Sequence, residues 1–403
     1  MATPNLNQSV PAVVAMAQCA DYAPDRVRAA VRHVLDIALD NANTTWAGKR
    51  VLLKPNLLSS NDPPERAVNT HPVVVHAAAE YFAEQGAHVF IGDSCGSLAP
   101  GSTAQAFRMT GLDQVAQAVG AQLVDFDRAS NETRKVPNPR LLHEVTLPCM
   151  LRDIDLFVTV PKFKTHGLTL LTGAIKNQLG LVPGRGKKDV HLKAPKPAAL
   201  AQAMVDIHSV VRPGLALMDA VVGMEGNGPA AGTPREVGWI LAATDCVALD
   251  AVAGSMMDYA EGEVCTTAFA EAQGFGVGRR TAIHLAGASF DDIRMPDFKK
   301  PPRNLSSLLF AILPNALIRW LIDHLGTSYP TILNDRCIAC GACVTNCPAG
   351  ALTKNNDLVR VNRKRCIGCY CCSEICPERA VVMRRPLIAR VVRKITHWVM
   401  RRS

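Results

Sequence analysis

Two runs of cysteine near the C-terminus, CIACGACVTNCP from Cys337 and CIGCYCCSEICP from Cys366, restrict this chain more than any other feature. Each reads C-x2-C-x2-C-x3-C-P, and nine of the 14 cysteines lie between Cys337 and Cys376. The N-terminus carries no basic stretch, and its apolar run PAVVAMAQCA is too short to span a bilayer. With no export signal expected, the thiols are expected to stay reduced and open to metal rather than to form a disulfide framework. Structural zinc also favours C-x2-C pairs. It needs four ligands, though, and eight cysteines in this order, with both Cys-Pro steps, exceed that need.

The two runs resemble bacterial two-cluster ferredoxins over about residues 330–383. In that pattern three thiolates of a run wrap one cluster and the fourth, before proline, ligates the other. The resemblance implies two [4Fe-4S] clusters. Cys337, Cys340, Cys343 and Cys376 would hold one, and Cys366, Cys369, Cys372 and Cys347 the other. Gly341, Ala342 and Gly368 suit a backbone curled close to sulfide. Cys371 departs from the pattern and is read as a small side chain facing away from the cluster.

Ahead of this region, strand-like and helical runs alternate. AVVAMAQC, RVLLKPNLL, HVFIGDS, AQLVDFD, LFVTV, LALMDAV and GWILAA read as strands. APDRVRAAVRHVLDIALDNA, HPVVVHAAAEYFAEQGA, AQAFRMTGLDQVAQAVG and CVALDAVAGSMM read as helices. The expected fold class is α/β, a mostly parallel sheet covered by helices, followed by a small α+β ferredoxin-like domain. The expected domains are 1–295 (α/β), 296–330 (apolar helical linker), 331–383 (clusters) and 384–403 (basic amphipathic helix).

In such sheets ligands bind beyond the carboxyl ends of the strands. Polar residues gather at those ends: Lys54, Asn56, His71, Asp93, Ser94, Lys162, Lys164, Thr165, His166 and Asp219. Loops add Lys176, Asn177, His191, and Glu225 and Asn227 within GMEGNGPAAGTP. Lys54, Lys162, Lys164 and Lys176 cannot be buried together without an anion or several carboxylates. The expected catalytic set is Lys54, His71, Lys162, Lys164, His166 and Lys176. Asn56, Thr165, Asn177, Asp219, Glu225 and Asn227 are expected to bind the anionic ligand. A lysine crowded by cations has its pKa lowered and becomes a base, and a histidine moves protons or ligates metal. GLVPGRGKKD lacks Walker spacing and reads as a mobile basic lid.

LLKPNLL, NTHPVVV, VPKFKTHGLTLLTGAIKNQLG, MDAVVGMEGNGPAAG and TDCVALDAVA, in this order over about residues 50–255, resemble the family catalogued as domain of unknown function 362. That family often carries a C-terminal ferredoxin module. The fold is also similar, as an analogy of architecture alone, to the N-terminal domain of nickel-pincer racemases.

Charge is placed unevenly. Residues 301–403 hold 16 Lys+Arg against 5 Asp+Glu, whereas the whole chain holds 44 against 35. The excess therefore belongs to the last quarter. In RRPLIARVVRKITHWVMRRS, apolar and basic residues segregate at helical spacing, as in a helix lying on an anionic membrane. Segment 305–325 is nearly all apolar, though Pro314, Arg319 and Asp323 interrupt it as a span. Low aromatic content excludes a nucleic-acid stacking surface.

The expected protein is an iron-sulfur oxidoreductase. It passes single electrons through two [4Fe-4S] clusters to an anionic small molecule in the Lys/His pocket. Expected partners are an electron donor or acceptor protein and an anionic membrane surface reached through residues 385–403. The expected place is cytoplasmic, peripheral on the inner membrane face. Two alternatives stay open: a non-catalytic electron-transfer or docking partner, and a proton-transfer enzyme with structural clusters.

Overall fold

The computed structural model describes residues 11–39, 45–301 and 329–384. The expected C-terminal amphipathic helix and the 305–325 segment lie outside the described residues.

Short apolar runs bounded by turns form the main sheet from β1 (Ala12–Gln18), β2 (Arg50–Pro55), β3 (His88–Asp93) and β4 (Gln122–Asp125). A hairpin of β5 (Asn131–Lys135) and β6 (Glu144–Pro148) stands apart from it. The sheet continues with β7 (Leu156–Val160), β8 (Lys162–His166), β9 (Leu170–Leu171), β10 (Leu215–Glu225), β11 (Thr233–Ala243) and β12 (Ile283–Ala286). The strand order is β12-β1-β11-β10-β7-β2-β3-β4, with β8 and β9 branching from β10.

All neighbours along the order are parallel except where β11 is involved. β11 runs antiparallel to both β1 and β10. Its connection to β10 spans only residues 226–232, and a parallel return needs a crossover of a dozen residues or more. The short GMEGNGPAAGTP loop therefore forces a hairpin where the run GWILAA alone suggested another parallel strand.

Strand alternation divides the apolar residues between two cores. Val51, Leu53, Val158, Leu215 and Leu217 face one, packed on helices Pro24–Leu39, Pro72–Ala83, Ser102–Thr110 and Leu112–Val119. Leu52, Phe157, Ala216 and Met218 face the other, under helices Pro197–Val211, Cys246–Met256 and Cys265–Ala272. The expected single helix AQAFRMTGLDQVAQAVG is two helices. Gly111 separates them at φ 75°, a left-handed conformation that terminates the first helix.

Phe298 is buried in the second core, and the Lys299 N–H donates to Glu225 at 3.0 Å. The α/β domain thus runs past residue 295 rather than yielding to a linker there. Beyond the undescribed stretch, β13 (Tyr329–Ile332) pairs with β16 (Val381–Arg384) and β14 (Leu352–Asn355) with β15 (Leu358–Val361). Cys343, Cys372, Leu352, Val359 and Val381 are the small buried core of this C-terminal unit. Among the described residues no helix is long and apolar enough to cross a membrane.

Candidate functional site

β2, β3, β7 and β10 point their carboxyl ends the same way, so the residues that follow them gather at one edge. Three separate polar arrangements result there.

In the first, the β2 residue Lys54 is fully buried and pairs at 2.8 Å with Asp93, the last residue of β3. Asp93 also accepts from the Leu57 and Ser94 N–H groups at 2.9 and 2.8 Å. Burial lowers the Lys54 pKa and raises that of Asp93, and each partner's charge opposes the effect on the other. Gly180 closes over this pair. A Cβ there would lie 2.2 Å from Asp93 Oδ1 and 2.5 Å from Lys54 Nζ, so only glycine fits. Asn177 donates to the Lys54 carbonyl at 3.2 Å and to Thr159 Oγ1 at 2.9 Å, tying its helix to the strands.

In the second, Lys162 is fully buried and donates to Asp219 at 2.8 Å and to the Tyr22 hydroxyl at 2.7 Å. Tyr22 donates to Asp219 at 2.9 Å and stacks on His71 with ring centroids 3.6 Å apart. His71 caps the helix Pro72–Ala83 through Nδ1, which accepts from Val73, and its own N–H donates to Asp219. Burial lowers the His71 pKa to about 4. Asp219, expected to bind ligand, is instead the counter-ion of Lys162.

The third arrangement centres on Lys164. It is 1% exposed, and its ammonium donates to the Val68 carbonyl at 2.5 Å. No carboxylate stands within ion-pair distance of it among the described residues. Burial pushes its pKa well below the usual lysine value, and neighbouring Lys176 pushes the same way. Lys176 is partly buried and also depressed by burial, with Glu374 opposing. Lys187 is buried as well and donates to the Ser94 and Cys95 carbonyls at 2.8 and 2.9 Å. The expected basic lid therefore has one lysine fixed inward, on the helix Gly186–Lys193.

Lys54, Asn56, Asp93, Lys164, Thr172, Lys176, Asn177 and Lys187 line one cavity of about 70 Å³. That volume suits a ligand of a few heavy atoms. Four lysine side chains line it with Asp93 as the carboxylate among the lining residues, and this excess of positive charge in a buried place calls for an anion. The helix bearing Lys176 and Asn177 is held by Asp250, which accepts from the Ala174 and Ile175 N–H groups at 2.6 and 3.0 Å. Burial raises the Asp250 pKa to about 7.

Glu374 comes from the C-terminal unit, two positions after Cys372. Its carboxylate lies 3.3 Å from His166 Nε2. Burial opposes its ionisation, but the contact with His166 and the charges of Lys176 and His191 outweigh burial and hold its pKa at about 2. His166 accepts at Nδ1 from the Leu168 and Thr169 N–H groups at 3.1 and 3.2 Å, which leaves the proton on Nε2. Burial keeps that ring neutral, with a pKa of about 4. Tyr370 packs against the α/β core beside Gly167. Asn346 accepts from the Leu98 N–H at 2.8 Å, and Lys188 donates to the Thr345 carbonyl at 2.6 Å. The C-terminal unit thus docks on the α/β domain through Thr345, Asn346, Tyr370 and Glu374.

The remaining expected ligand residues have other tasks. Thr165 donates to the Gly226 carbonyl at 3.0 Å and fixes the loop after β10. Glu225 pairs with Arg235 and Lys299, each at 3.2 Å, away from the pocket. Asn227 is exposed. Asp93, Ser94, Thr172 and Lys187 line the cavity but were not among those expected to bind or catalyse, nor was Glu374 beside His166. For Glu374 a signal existed, since it is one of only 5 acids among residues 301–403.

The expected cluster cysteines gather around the core of the C-terminal unit. Burial raises the Cys343 pKa to about 11, and the neighbours that add to this are Cys376, Cys340 and Cys337. Those same four line a small cavity. Around Cys372, burial is reinforced by Cys369, Cys366, Cys343 and Cys347. Cys376, the fourth cysteine of the second run, thus stands with the first three of the first run, the crossing expected of an iron-sulfur ligand set. Cys371 is partly buried, and its Sγ donates to the Cys369 carbonyl at 3.8 Å.

The family model described as domain of unknown function (DUF362) matches residues 51–255, and that of a 4Fe-4S dicluster domain matches residues 329–377. A thylakoid-associated protein of Synechocystis sp. is 32% identical over 264 residues, 65% of this chain and 79% of that protein. The lactate racemase apoprotein from Thermoanaerobacterium thermosaccharolyticum aligns with a TM-score of 0.37 and 13% identity. That alignment covers 58% of this chain and only 54% of the racemase.

Proposed function

Because this chain belongs to the DUF362 family and is an iron-sulfur protein with a C-terminal 4Fe-4S domain, we propose that it is an oxidoreductase acting on a small anion held beside that domain. One observation carries the reading: the helix that supplies Cys372 also supplies Glu374, which lies 3.3 Å from His166 on the strand that bears the cavity's Lys164. A module that only docked a partner would have no use for unpaired lysines buried behind its cysteine ligands.

Cys337, Cys340, Cys343 and Cys376 would hold one [4Fe-4S] cluster, and Cys366, Cys369, Cys372 and Cys347 the second. When bound, they supply one-electron chemistry, fed by a reduced or oxidised carrier protein. The chain's own residues do the rest. Lys164, Lys176 and Lys187 hold the anion, Asp250 and Asn177 keep the Lys176 helix in place, and His166 presents a proton on Nε2. Tyr370 and Glu374 cover Gly167 and His166 beside the pocket.

Anaerobically purified protein should contain about eight iron and eight sulfide. Native mass spectrometry should find a small anion that Lys164→Ala and Lys176→Ala lose while keeping their iron. Retention by both variants, or failure of the wild type to bind any anion, would refute the reading. So would dithionite-reduced protein that is not reoxidised by that anion.

We extend the proposal to location. The relative is associated with thylakoids by name, and the basic tail at 385–403 suits an anionic lipid surface. Removing the tail should free the protein from anionic vesicles at low salt. Wild-type protein that ignores such vesicles would contradict this.

A further inference from the structure

We propose that Lys164 is a carbonyl-reactive amine, and that the anion bound here is a small oxo acid captured on it as an imine. This deepens the anion reading above and rests on it.

The four lysines that line the cavity are not equivalent. Lys54 is neutralised by Asp93 at 2.8 Å. Lys187 gives its ammonium protons to the Ser94 and Cys95 carbonyls and to the Ser94 hydroxyl. Those acceptors match the donors of an ammonium, so Lys187 lends the cavity charge rather than a free group. Among the described residues Lys176 has no ion pair, and Lys164 has a single hydrogen bond, to the Val68 carbonyl. One ammonium is enough to fix a carboxylate in a cavity of about 70 Å³. A second one, buried without a counter-ion, is better accounted for as an amine that works in its neutral form. Burial and then the charge of Lys176 favour that form, while Glu374 and Asp62 oppose it and are outweighed.

Thr172 gives independent support. Its N–H donates to the Lys164 carbonyl at 3.0 Å, which sets the two residues side by side. Its Oγ1 is buried without a hydrogen-bond partner, and both side chains line the same cavity. Buried hydroxyls are nearly always satisfied, so this one points to a missing group. Beside an attacked carbonyl, a hydroxyl donates to the oxygen and polarises it. Leu57, Leu58, Leu179 and Pro229 add apolar lining, which shields an imine from water.

The condensation needs no co-reactant. The free amine of Lys164 attacks the carbonyl carbon, and a C–N bond forms as the C=O π bond opens to give a carbinolamine. Both amine protons pass to that oxygen, which leaves as water, and a C=N bond remains. The Thr172 hydroxyl relays a proton from nitrogen to oxygen, and Lys176 holds the carboxylate. The same steps in reverse release the oxo acid. A protonated imine accepts electrons more readily than the parent carbonyl, which suits a site served by one-electron carriers.

The test is reductive trapping. Anaerobic holoprotein is incubated with pyruvate or glyoxylate and cyanoborohydride, and peptide mass mapping locates the modified lysine. Calorimetry measures the binding of each acid separately. Lys164 should carry a carboxyalkyl group at a yield roughly tenfold or more above any other lysine, because a reactant held in place behaves as though concentrated. Propionate, which has the carboxylate without the carbonyl, should protect Lys164. Lys164→Met should give no adduct in the cavity, and Thr172→Val should slow adduct formation while leaving pyruvate bound. An oxo acid that binds yet leaves Lys164 unmodified would overturn the inference and leave the anion reading standing. So would labelling spread evenly over the lysines, or concentrated on Lys176. A wild type that binds other anions but neither oxo acid has the same consequence. If no anion binds the wild type, the anion reading falls along with the inference. Mapping on wild-type protein decides the matter even where a variant loses iron.

Discussion

Lys162 and Lys164 lie two residues apart on β8, both essentially fully buried, yet methionine in their places should change stability in opposite directions. Lys162 is the counter-ion of Asp219 at 2.8 Å. Removing it strands a buried carboxylate, a change that costs about 3–5 kcal/mol. Asp219 keeps the Tyr22 hydroxyl and the His71 N–H as donors, so the lower end of that range applies. Lys164 has a carbonyl for a partner and another lysine for a neighbour. Methionine there conserves the packed stem and deletes an ammonium whose burial is uncompensated. The gain should be about 1–4 kcal/mol, the range found when buried charge is exchanged for apolar side chains. For a domain of this size that is a rise of roughly 2–8 °C in Tm. The sign with pH follows from the depressed lysine. Below the unfolded lysine pKa the unfolded chain binds the extra proton, so wild-type stability climbs as pH rises and the advantage of Lys164→Met shrinks toward about pH 10. Thermal and urea unfolding of anaerobic protein without added anion, with iron content checked first, measures both variants. Equal destabilisation by the two substitutions, or a stable Lys162→Met, would refute the division of the lysines into a paired and an unpaired set.

Other outcomes follow from the same geometry. Cys371→Ser should leave iron and sulfide content unchanged, whereas Cys347→Ser should damage the cluster of the second run. Iron halved by the Cys371 change would move that residue into a ligand set. Gly180→Ala should displace Asp93 or Lys54 and abolish anion binding, with a loss of roughly 1–3 kcal/mol from overpacking. If calorimetry finds binding intact, the cavity floor is placed wrongly. Burial lowers the His208 pKa to about 4, with Arg212 adding to it. Its stabilising effect is complete above pH 6.5 and fades as pH falls toward 4, because the unfolded ring takes up the proton first. The loss should approach about 3 kcal/mol, and His208→Gln should remove much of it in acid unfolding curves.

The strand runs and the cysteine spacing made the architecture readable, because alternation and loop length are local properties. The lysine cluster was readable as charge at strand ends, but not as separate sites. The three β8 positions Lys162, Lys164 and His166 share a face by period, yet the register against β10 slips between Asp219 and Met224. The slip sends Lys162 to Asp219 and Lys164 to the cavity, and nothing in KFKTH announces it. Glu374 was hidden for a different reason. It is separated from His166 by 208 positions, and only docking of the C-terminal unit brings the two together. Glu225 looked like a ligand because it sits in a glycine-rich loop, while its charge is spent on Arg235 and Lys299.

The central place of β11 bears on how this chain is made. β1 is translated first, yet its partners in the sheet are β11 and β12, with Ala15 opposite Ala242 and Ala12 opposite Ile283. At ordinary elongation rates of about 5–20 residues per second, the first strand waits roughly ten to fifty seconds for its neighbours to leave the ribosome. During that interval its apolar face and both its hydrogen-bonding edges are bare, which is the condition that invites mispairing. A fragment cut at residues 51–255 would lack β1 altogether and turn β11 into an open border. Expression of that fragment should therefore give aggregates where the chain from residue 11 onward gives folded protein.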